Sequence, residues 1–251
     1  MNYKRIKYPD GQIGAEIVNI THPYIINERI NSYEDLFFIK SICDALDFAN
    51  VKNRHLVIPC LFGQRSDRRF LPTNSFDLKI IADFINSCGF MDVKIFDPHS
   101  DVSLALIHNS SKVSPVEKIE LAIKDINEDI ILISPDAGAY KKVFEIGQKF
   151  NMEVTAAVKH RDLAGKIELK FIGDVKGKNC LILDDLCDGG YTFVMLSQQL
   201  KDQGANNIYL YVSHGYFSKG FDELKKNIKK IYCTNSVKDV NDEFVKQFKI
   251  V

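Results

Sequence analysis

Short apolar runs alternate with amphipathic stretches along most of this chain, and that alternation restricts the folds open to it. The runs have the length of buried strands, and the stretches between them place apolar residues at helical spacing. Alternating strands and helices of this kind build parallel sheets with covering helices. The sequence therefore predicts an α/β fold, with strands near residues 55–59, 93–97, 130–136, 154–158, 181–185 and 208–215.

Two regions depart from this alternation. Near the beginning, a Pro-Asp-Gly turn signal precedes an alternating stretch, which predicts a small antiparallel element ahead of the first helix. Residues 109–116 are the most linker-like part of the chain and separate two groups of strand–helix units. We therefore expect an N-terminal domain over residues 1–113 and a C-terminal domain over 114–251, with the last residues packing back on the N-terminal domain.

The composition argues against several kinds of partner. Thirty-three basic side chains balance 33 acidic ones, which leaves no overall field for nucleic acid or an anionic membrane. The first residues hold no apolar signal segment and no run approaches a bilayer span, so we expect a cytoplasmic protein without a membrane partner. The six cysteines contain no C-x-x-C pair, which favours reduced thiols over a zinc site or disulfides.

An acidic loop follows the apolar run at 181–185. Three carboxylates, two glycines and a threonine near a helix start make it up: Asp184, Asp185, Asp188, Gly189, Gly190 and Thr192. Carboxylates repel phosphate, but they accept hydrogen bonds from ribose hydroxyls and bind Mg²⁺. Glycines and a helix N-terminus suit an anion. The loop predicts a sugar-phosphate pocket at the carboxyl edge of a sheet, and a strand-to-helix turn with aspartate caps is the plainer alternative.

Loops after three other predicted strands also suit phosphates. Residues 134–138 repeat the order of strand, carboxylate and glycine around Asp136, which suggests one ligand with a sugar and more than one phosphate. Residues 62–70 place arginines at a strand end, where they match phosphate oxygens bidentately. Asp97 and His99 follow another strand and could contact a metal-bound phosphate. A solvated loop and a structural histidine are the alternatives.

A basic stretch, residues 158–166, lies between two strand-like segments. It concentrates Lys159, His160 and Arg161. A basic flap that closes over a reacting phosphate suits phosphoryl transfer, because there the protein mainly positions groups and neutralises charge. An ordinary surface hairpin is the alternative.

The order of these motifs resembles that of the ribose-phosphate pyrophosphokinases, or phosphoribosyl pyrophosphate synthetases. The resemblance runs from the YPDGQI stretch to the SHGYFS stretch. It implies two domains of the type I phosphoribosyltransferase fold, each a mainly parallel sheet flanked by helices. It also implies transfer of the β,γ-diphosphate of Mg-ATP to the anomeric hydroxyl of a ribose 5-phosphate moiety, with AMP as the leaving group. Because the family's adenine loop serves a neighbouring subunit, a homodimer or larger homo-oligomer is expected.

The resemblance also implies roles for individual residues. The YPDGQ and RSDRR motifs imply ATP binding by Tyr8, Asp10, Gln12, Arg65, Ser66, Asp67 and Arg68. The KHR and DPHS motifs imply three catalytic residues, Lys159, Arg161 and His99. The implied ligands of the Mg²⁺ cofactor are His99, Asp97 and Asp136. The SPDAGA and acidic loops imply ribose or phosphate contacts from Asp136, Ala137, Gly138, Asp184, Asp185, Asp188, Gly189, Gly190, Tyr191 and Thr192.

The acidic loop departs from the family pattern at its glycine end. The family's loop reads DDxxDTGGT, whereas this chain has DDLCDGGYT, with Gly189 in place of threonine and Tyr191 in place of glycine. A bulky aromatic there argues for a remodelled 5-phosphate end and could stack on a base. The acceptor is therefore either ribose 5-phosphate or a larger 5-substituted ribose such as ADP-ribose, which would point to NAD metabolism.

Two other functions share parts of the pattern. A phosphoribosyltransferase shares the fold and the acidic loop, but it has no need of the arginine-rich ATP motif. A non-catalytic regulatory subunit of a phosphoribosyl pyrophosphate synthetase would also keep the fold. Retention of Lys159, Arg161 and His99 weighs against that second alternative.

Overall fold

The computed structural model describes residues 2–161 and 167–250. The chain forms two compact units, one running up to Ser114 and the other spanning Pro115–Ile250. The sequence places the division one residue earlier, after residue 113. Among the described residues, no helix has the length and apolar character needed to cross a bilayer.

The N-terminal unit combines a hairpin with a small parallel sheet. Its elements are β1 (Tyr3–Lys7), β2 (Ile13–Ile17), β3 (Tyr24–Asn27), α1 (Tyr33–Phe48), β4 (Arg54–Ile58), α2 (Asp77–Asn86), β5 (Asp92–Phe96), α3 (Val102–Leu106) and β6 (Ser110–Val113). Strands β1 and β2 pair antiparallel around the Pro-Asp-Gly turn, where Gly11 has a φ of 90°. The other four strands form a parallel sheet in the order β3-β4-β5-β6.

The C-terminal unit is built on a larger sheet. Its elements are α4 (Val116–Ile126), β7 (Ile130–Ser134), α5 (Ala137–Phe150), β8 (Val154–Arg161), β9 (Ile167–Ile172), β10 (Asn179–Cys187), α6 (Tyr191–Asp202), β11 (Ile208–Gly215), α7 (Asp222–Lys225), β12 (Lys230–Thr234) and β13 (Val245–Phe248). The strand order is β13-β12-β11-β10-β7-β8-β9, and only β9 runs antiparallel to its neighbour.

The central strands of this sheet are buried on both faces. Ile182 and Leu210 pack into an apolar cluster on one face, while Leu181 and Tyr209 pack into another cluster on the opposite face. Burial on both faces explains why these strands read as continuous apolar runs instead of alternating patterns. The signal that predicted parallel strands thus has a direct structural cause.

One feature at a sheet edge corrects the sequence prediction. Residues 110–113, within the linker-like stretch, form strand β6 and pair with β5. This strand has no buried residue, and an edge strand that exposes its side chains carries no apolar signal. Near the end of the chain, Val245–Phe248 pair with β12 in the C-terminal sheet. The packing of the last residues on the N-terminal domain stays a prediction.

Candidate active site

The carboxyl ends of β7, β8, β10 and β11 meet at one edge of the C-terminal sheet. Ile182 pairs with Ile133 in the parallel register. Three residues further along each segment, Asp136 follows the end of β7, while Asp185 still lies within β10, which continues to Cys187. Neighbouring parallel strands deliver the loops that follow them to the same edge, which is where open α/β sheets bind ligands. The predicted sugar-phosphate loops therefore share one location.

The acidic loop concentrates negative charge at this edge. Asp184 and Asp185 are half-buried at the end of β10, and the Asp185 amide donates to Asp184 Oδ1 at 2.9 Å. Burial raises the pKa of Asp184 well above its usual range, and the nearby carboxylates of Asp185 and Asp136 raise it further. A group of carboxylates that resists full ionisation favours a cation or hydrogen-bond donors from a ligand.

The second loop is organised as a helix cap. Asp136 Oδ1 accepts from the amides of Gly138 at 2.9 Å and Ala139 at 3.1 Å, and so caps α5. Ser134 Oγ donates to the Asp136 carbonyl at 2.8 Å. In the structure, this loop is therefore a strand-to-helix turn capped by an aspartate. The Gly138 amide could contact a ligand, as predicted, only if its hydrogen bond to the Asp136 carboxylate were broken. Ala137 is exposed at the first helical position.

The glycine end of the acidic loop opens α6. Gly190 precedes the helix with a φ of 79°, a backbone conformation in which glycine is unstrained. Its carbonyl accepts from the amides of Phe193 and Val194, both at 3.0 Å. The amides of Tyr191 and Thr192 belong to the first helical turn, where no intrahelical acceptor exists, so they form an N-terminus suited to an anion.

The Tyr191 side chain is largely exposed to solvent. The residue is 71% exposed, while Thr192 is half-buried. The aromatic ring is therefore not part of the packed core of this loop.

Residues 216–218, which the sequence analysis missed, are hydrogen-bonded to the acidic loop. Ser218 Oγ donates to Asp188 Oδ1 at 2.7 Å, and the Ser218 amide donates to the Asp188 carbonyl at 3.1 Å. The amides of Tyr216 and Phe217 both donate to the Cys187 carbonyl, at 2.8 and 3.3 Å. The only sequence signal that could have identified these residues is their position directly after β11, the strand that pairs with β10.

The predicted catalytic flap extends from this same edge. Ser134 pairs with Ala156 between β7 and β8, so the backbone of Lys159 lies beyond the end of β7. In the β8–β9 hairpin, Lys159 pairs with Leu169 and Arg161 with Ile167. The side chains of Lys159 and Arg161, and residues 162–166 between the strands, lie outside what the structure describes.

The N-terminal unit brings the arginine-rich loop to the DPHS segment. The Gln64 side chain, on a residue 3% exposed, accepts from the His99 amide at 3.0 Å and so ties the two loops together. Sequence reasoning passed over Gln64, although it directly precedes the arginine motif. Arg68 Nε donates to Asp67 Oδ1 at 2.8 Å. That hydrogen bond and the positive charge of Arg68 hold the pKa of Asp67 below its usual range despite its burial.

The remaining members of this cluster differ in exposure. Arg65 and His99 are exposed, whereas Asp97 is fully buried with a φ of 41°. Lys112 Nζ lies 4.0 Å from Asp97 Oδ1. Ser66 is half-buried, and its carbonyl accepts from the Leu78 amide at 3.3 Å, which anchors the loop to α2. The loop thus presents arginine side chains from a backbone that is fixed at several points.

The predicted adenine-binding residues lie together at the tip of the β1–β2 hairpin. Tyr8, Asp10 and Gln12 are all exposed there. The Gln12 amide donates to Asp10 Oδ1 at 3.0 Å, and the Tyr8 amide donates to the Gln12 carbonyl at 2.9 Å. The turn is closed by these bonds, and the Tyr8 ring, on a residue 44% exposed, lies beside Gly14 of β2, with its Cε2 3.4 Å from the Cβ position of that glycine.

The residues at the sheet edge fit Mg²⁺ held jointly by protein and substrate. No group of three or more His, Cys, Asp or Glu side chains suited to a metal occurs in the described part of the chain. Mg²⁺ usually keeps several waters and binds through one or two carboxylates plus substrate phosphates, so it needs no such group. Asp136 and Asp184 supply hard oxygen ligands near each other, and the raised pKa of Asp184 is the property that a bound cation would relieve.

Comparison with a solved structure confirms the fold. Phosphoribosylpyrophosphate synthetase from Mycobacterium smegmatis aligns with a TM-score of 0.86 at 18% identity, covering 99% of this chain and 86% of that one. The chain therefore has the α/β architecture of two type I phosphoribosyltransferase domains, as the sequence predicts.

Comparison with sequences defines the family. Residues 103–250 match the phosphoribosyl synthetase-associated domain. A ribose-phosphate pyrophosphokinase of Cereibacter sphaeroides is 29% identical over 245 residues, which cover 92% of this chain and 72% of that protein. Ribose-phosphate pyrophosphokinase 2 of Saccharomyces cerevisiae is 29% identical, covering 85% of this chain and 70% of its own length. The chain belongs to the ribose-phosphate pyrophosphokinase family, whose members are diphosphotransferases.

Proposed function

We propose that this chain transfers the β,γ-diphosphate of Mg-ATP to the anomeric hydroxyl of ribose 5-phosphate and releases AMP. The observation that carries the proposal is the pairing, at one sheet edge, of half-buried carboxylates with a glycine turn that starts a helix. Carboxylates accept from the ribose hydroxyls and amides receive the phosphate, so one loop recognises both halves of a sugar phosphate.

In this proposal the two loops of the sheet edge divide the work. Asp184 and Asp185 hold the ribose hydroxyls, while the amides of Tyr191 and Thr192 hold the 5-phosphate. Asp136 faces the anomeric side of the sugar and the transferred diphosphate. Bound Mg²⁺ would neutralise phosphate charge and align the diphosphate for attack.

The remaining assignments concern ATP. Arg65 and Arg68 bind nucleotide phosphates, with Asp67 fixing the Arg68 guanidinium. Lys159 and Arg161 neutralise charge on the diphosphate as the oxygen–phosphorus bond to AMP breaks. His99 contacts the γ-phosphate and its metal, and Tyr8, Asp10 and Gln12 bind adenine in a neighbouring subunit.

The exposure of Tyr191 favours ribose 5-phosphate over ADP-ribose as the acceptor. The residue is 71% exposed, so most of its ring lies in solvent and is not packed into the loop that would receive the 5-phosphate. The two relatives described above are named ribose-phosphate pyrophosphokinases. Neither observation favours the larger acceptor or a role in NAD metabolism.

The test offers ribose 5-phosphate and ADP-ribose separately with Mg-ATP, and follows AMP and the product mass. We expect turnover with ribose 5-phosphate and little with ADP-ribose. Turnover with ADP-ribose alone would contradict the proposed acceptor, and no AMP with either would favour a regulatory subunit.

The role of Lys159 has its own test. Lys159→Ala should keep ATP binding while turnover falls by orders of magnitude, because the charge acts on the moving diphosphate. Lys149→Ala is the matched control, since that lysine lies in the last turn of α5, at the end opposite Asp136. Equal activity in Lys159→Ala and Lys149→Ala would remove Lys159 from the mechanism.

A further inference from the structure

The segment Gly215–Gly220, which follows β11, is held firmly against the acidic loop. Cys187 pairs with Gly215 in the β10–β11 register, so the two segments leave the sheet as neighbours. Three amides of the segment donate to carbonyls of the acidic loop, and Ser218 Oγ adds a side-chain bond to Asp188. Phe217 has a φ of 47°, and its ring lies where a side chain on residue 215 would project, 2.2 Å from the Cβ position. These contacts fix the backbone conformation of the residues that precede Lys219.

Lys219 is the residue that this segment presents to the acidic loop. Its Cγ lies 3.5 Å from the position that a Cβ on Gly189 would occupy, so the lysine stem lies beside the bare backbone of that glycine. The residue is exposed. Among the described residues, no carboxylate forms an ion pair with Lys219, whereas Lys225 pairs with Asp242 and Lys226 pairs with Glu223. Its ammonium group, three bonds beyond that Cγ, is within reach of the glycine end of the loop.

The charge of the acidic loop calls for a cation at this end. Residues 180–193 contain three aspartates and no basic residue. A dianionic 5-phosphate bound at the α6 amides would lie beside these carboxylates, and unscreened charges of like sign repel strongly in a partly buried site. Gly189 offers no side-chain donor of its own. Lys219 enters from the adjoining segment at the place where the loop lacks both a positive charge and a donor.

We propose that Lys219 binds the 5-phosphate of the acceptor, supplying from the segment after β11 the cation that the loop itself lacks. This inference rests on the proposed function, because it assumes that a sugar phosphate occupies the acidic loop. It makes Lys219 a substrate-binding residue specific for the phosphate end and not for the sugar or for ATP.

The experiment compares Lys219→Ala with Lys226→Ala in the full chain, varying ribose 5-phosphate at saturating Mg-ATP. Lys226 is the control because it is a nearby exposed lysine already paired with Glu223. A hydrogen bond to a charged group supports an expected rise of about tenfold or more in the KM for ribose 5-phosphate, with the KM for ATP unchanged. Lys219→Arg should recover most of the affinity, and D-ribose, which has no 5-phosphate, should be used equally by wild type and Lys219→Ala.

Two outcomes separate this inference from the proposed function. If wild type makes product but Lys219→Ala and Lys226→Ala share its KM, the role of Lys219 is wrong and the proposed function stands. If wild type makes no product, the proposed function fails, and calorimetric titration with ribose 5-phosphate still decides whether Lys219 binds a sugar phosphate. Equal calorimetric affinity in wild type and Lys219→Ala, or binding by neither, would overturn the inference.

Discussion

Asp184 is the single residue at which stability and proposed function conflict most clearly. Burial and the carboxylates of Asp185 and Asp136 all disfavour its ionised form. A carboxyl group whose folded pKa is raised costs folding free energy once the pH exceeds the pKa of the unfolded chain, about 4. Retaining such a group is understandable if a ligand or Mg²⁺ compensates for the cost when it binds.

Asp184→Asn should therefore raise the melting temperature of the ligand-free protein at pH 7 and abolish turnover. The gain should shrink as the pH falls toward about 4, where the carboxyl is protonated in both states. Scanning calorimetry at several pH values measures it, and Asp101→Asn, at an exposed aspartate, is the control. Added Mg²⁺ should stabilise wild type more than Asp184→Asn. A lower melting temperature for Asp184→Asn across this pH range would contradict the account.

Gln64 shows a different role for a single residue, because it connects two loops. Gln64→Leu keeps a similar volume but removes the acceptor of the His99 amide. If this hydrogen bond contributes about 1 kcal/mol to holding the arginine-rich loop in its binding conformation, its loss should raise the KM for ATP roughly fivefold. Steady-state kinetics measure this against Gln148→Leu, a substitution at an exposed glutamine of α5. An unchanged KM for ATP in Gln64→Leu would show that this connection does not shape the nucleotide site.

At the scale of elements, the junction between β10 and α6 controls the phosphate end. Gly190 combines a φ of 79° with side-chain atoms of Leu224 only 3.3–3.5 Å from its Cβ position. An added methyl group meets an unfavourable backbone conformation and a packed neighbour at the same time. The helix start and the pocket thus depend on the same glycine.

Gly190→Ala should lower the free energy of unfolding by about 1–2 kcal/mol or more and weaken ribose 5-phosphate binding. Gly177→Ala is the matched control, because Gly177 has a φ of 72° but nothing within 4 Å of its Cβ position. Denaturant unfolding gives the backbone cost from Gly177→Ala, and the excess in Gly190→Ala gives the cost of packing. Equal stability losses with unaltered sugar-phosphate affinity would show that Leu224 and the loop tolerate a side chain.

The length of the apolar run decides which strands the sequence predicts. Strands β7, β10 and β11 appear as apolar runs because both faces of a covered parallel sheet exclude water. Strands β4 and β5 also carry half-buried or exposed residues, but they keep enough buried apolar ones to be predicted. Strand β6 has no buried residue, and β12, although almost fully buried, contains only the short apolar run IYC, so neither was predicted.

Site prediction shows a similar limit. The acidic and arginine-rich loops were predicted from their residue types, because carboxylates, glycines and guanidinium groups each bind particular parts of a sugar phosphate or nucleotide. Gln64, Ser218 and Lys219 were missed, because their contacts depend on register and on a neighbouring segment.

At the scale of the whole molecule, the residues proposed to act come from both units and from neighbouring subunits. The arginine-rich loop and the exposed hairpin tip belong to the N-terminal unit, while the acidic loop and the flap belong to the C-terminal unit. If the hairpin tip completes a neighbour's nucleotide site, a homo-oligomer is required for activity.

Subunit mixing tests that requirement. Tyr8→Ala and Lys159→Ala should each be nearly inactive, yet a mixed oligomer contains some sites with both residues intact. Co-refolded or co-expressed mixtures should recover up to about a quarter of wild-type activity if each site draws Tyr8 from one subunit and Lys159 from another, with random assortment. Light scattering gives the oligomeric state. A fully active monomer, or a mixture no more active than its parts, would contradict the shared site.

The most direct test of the central claim follows the fate of the terminal phosphates of ATP. The protein is incubated with Mg²⁺, ribose 5-phosphate and ATP labelled at the γ-phosphate, and nucleotides and sugar phosphates are separated and weighed by mass spectrometry. The account predicts unlabelled AMP and a labelled sugar carrying one added diphosphate, in equal amounts. Formation of ADP with a singly phosphorylated product, or no reaction of any kind, would contradict diphosphate transfer as the activity of this chain.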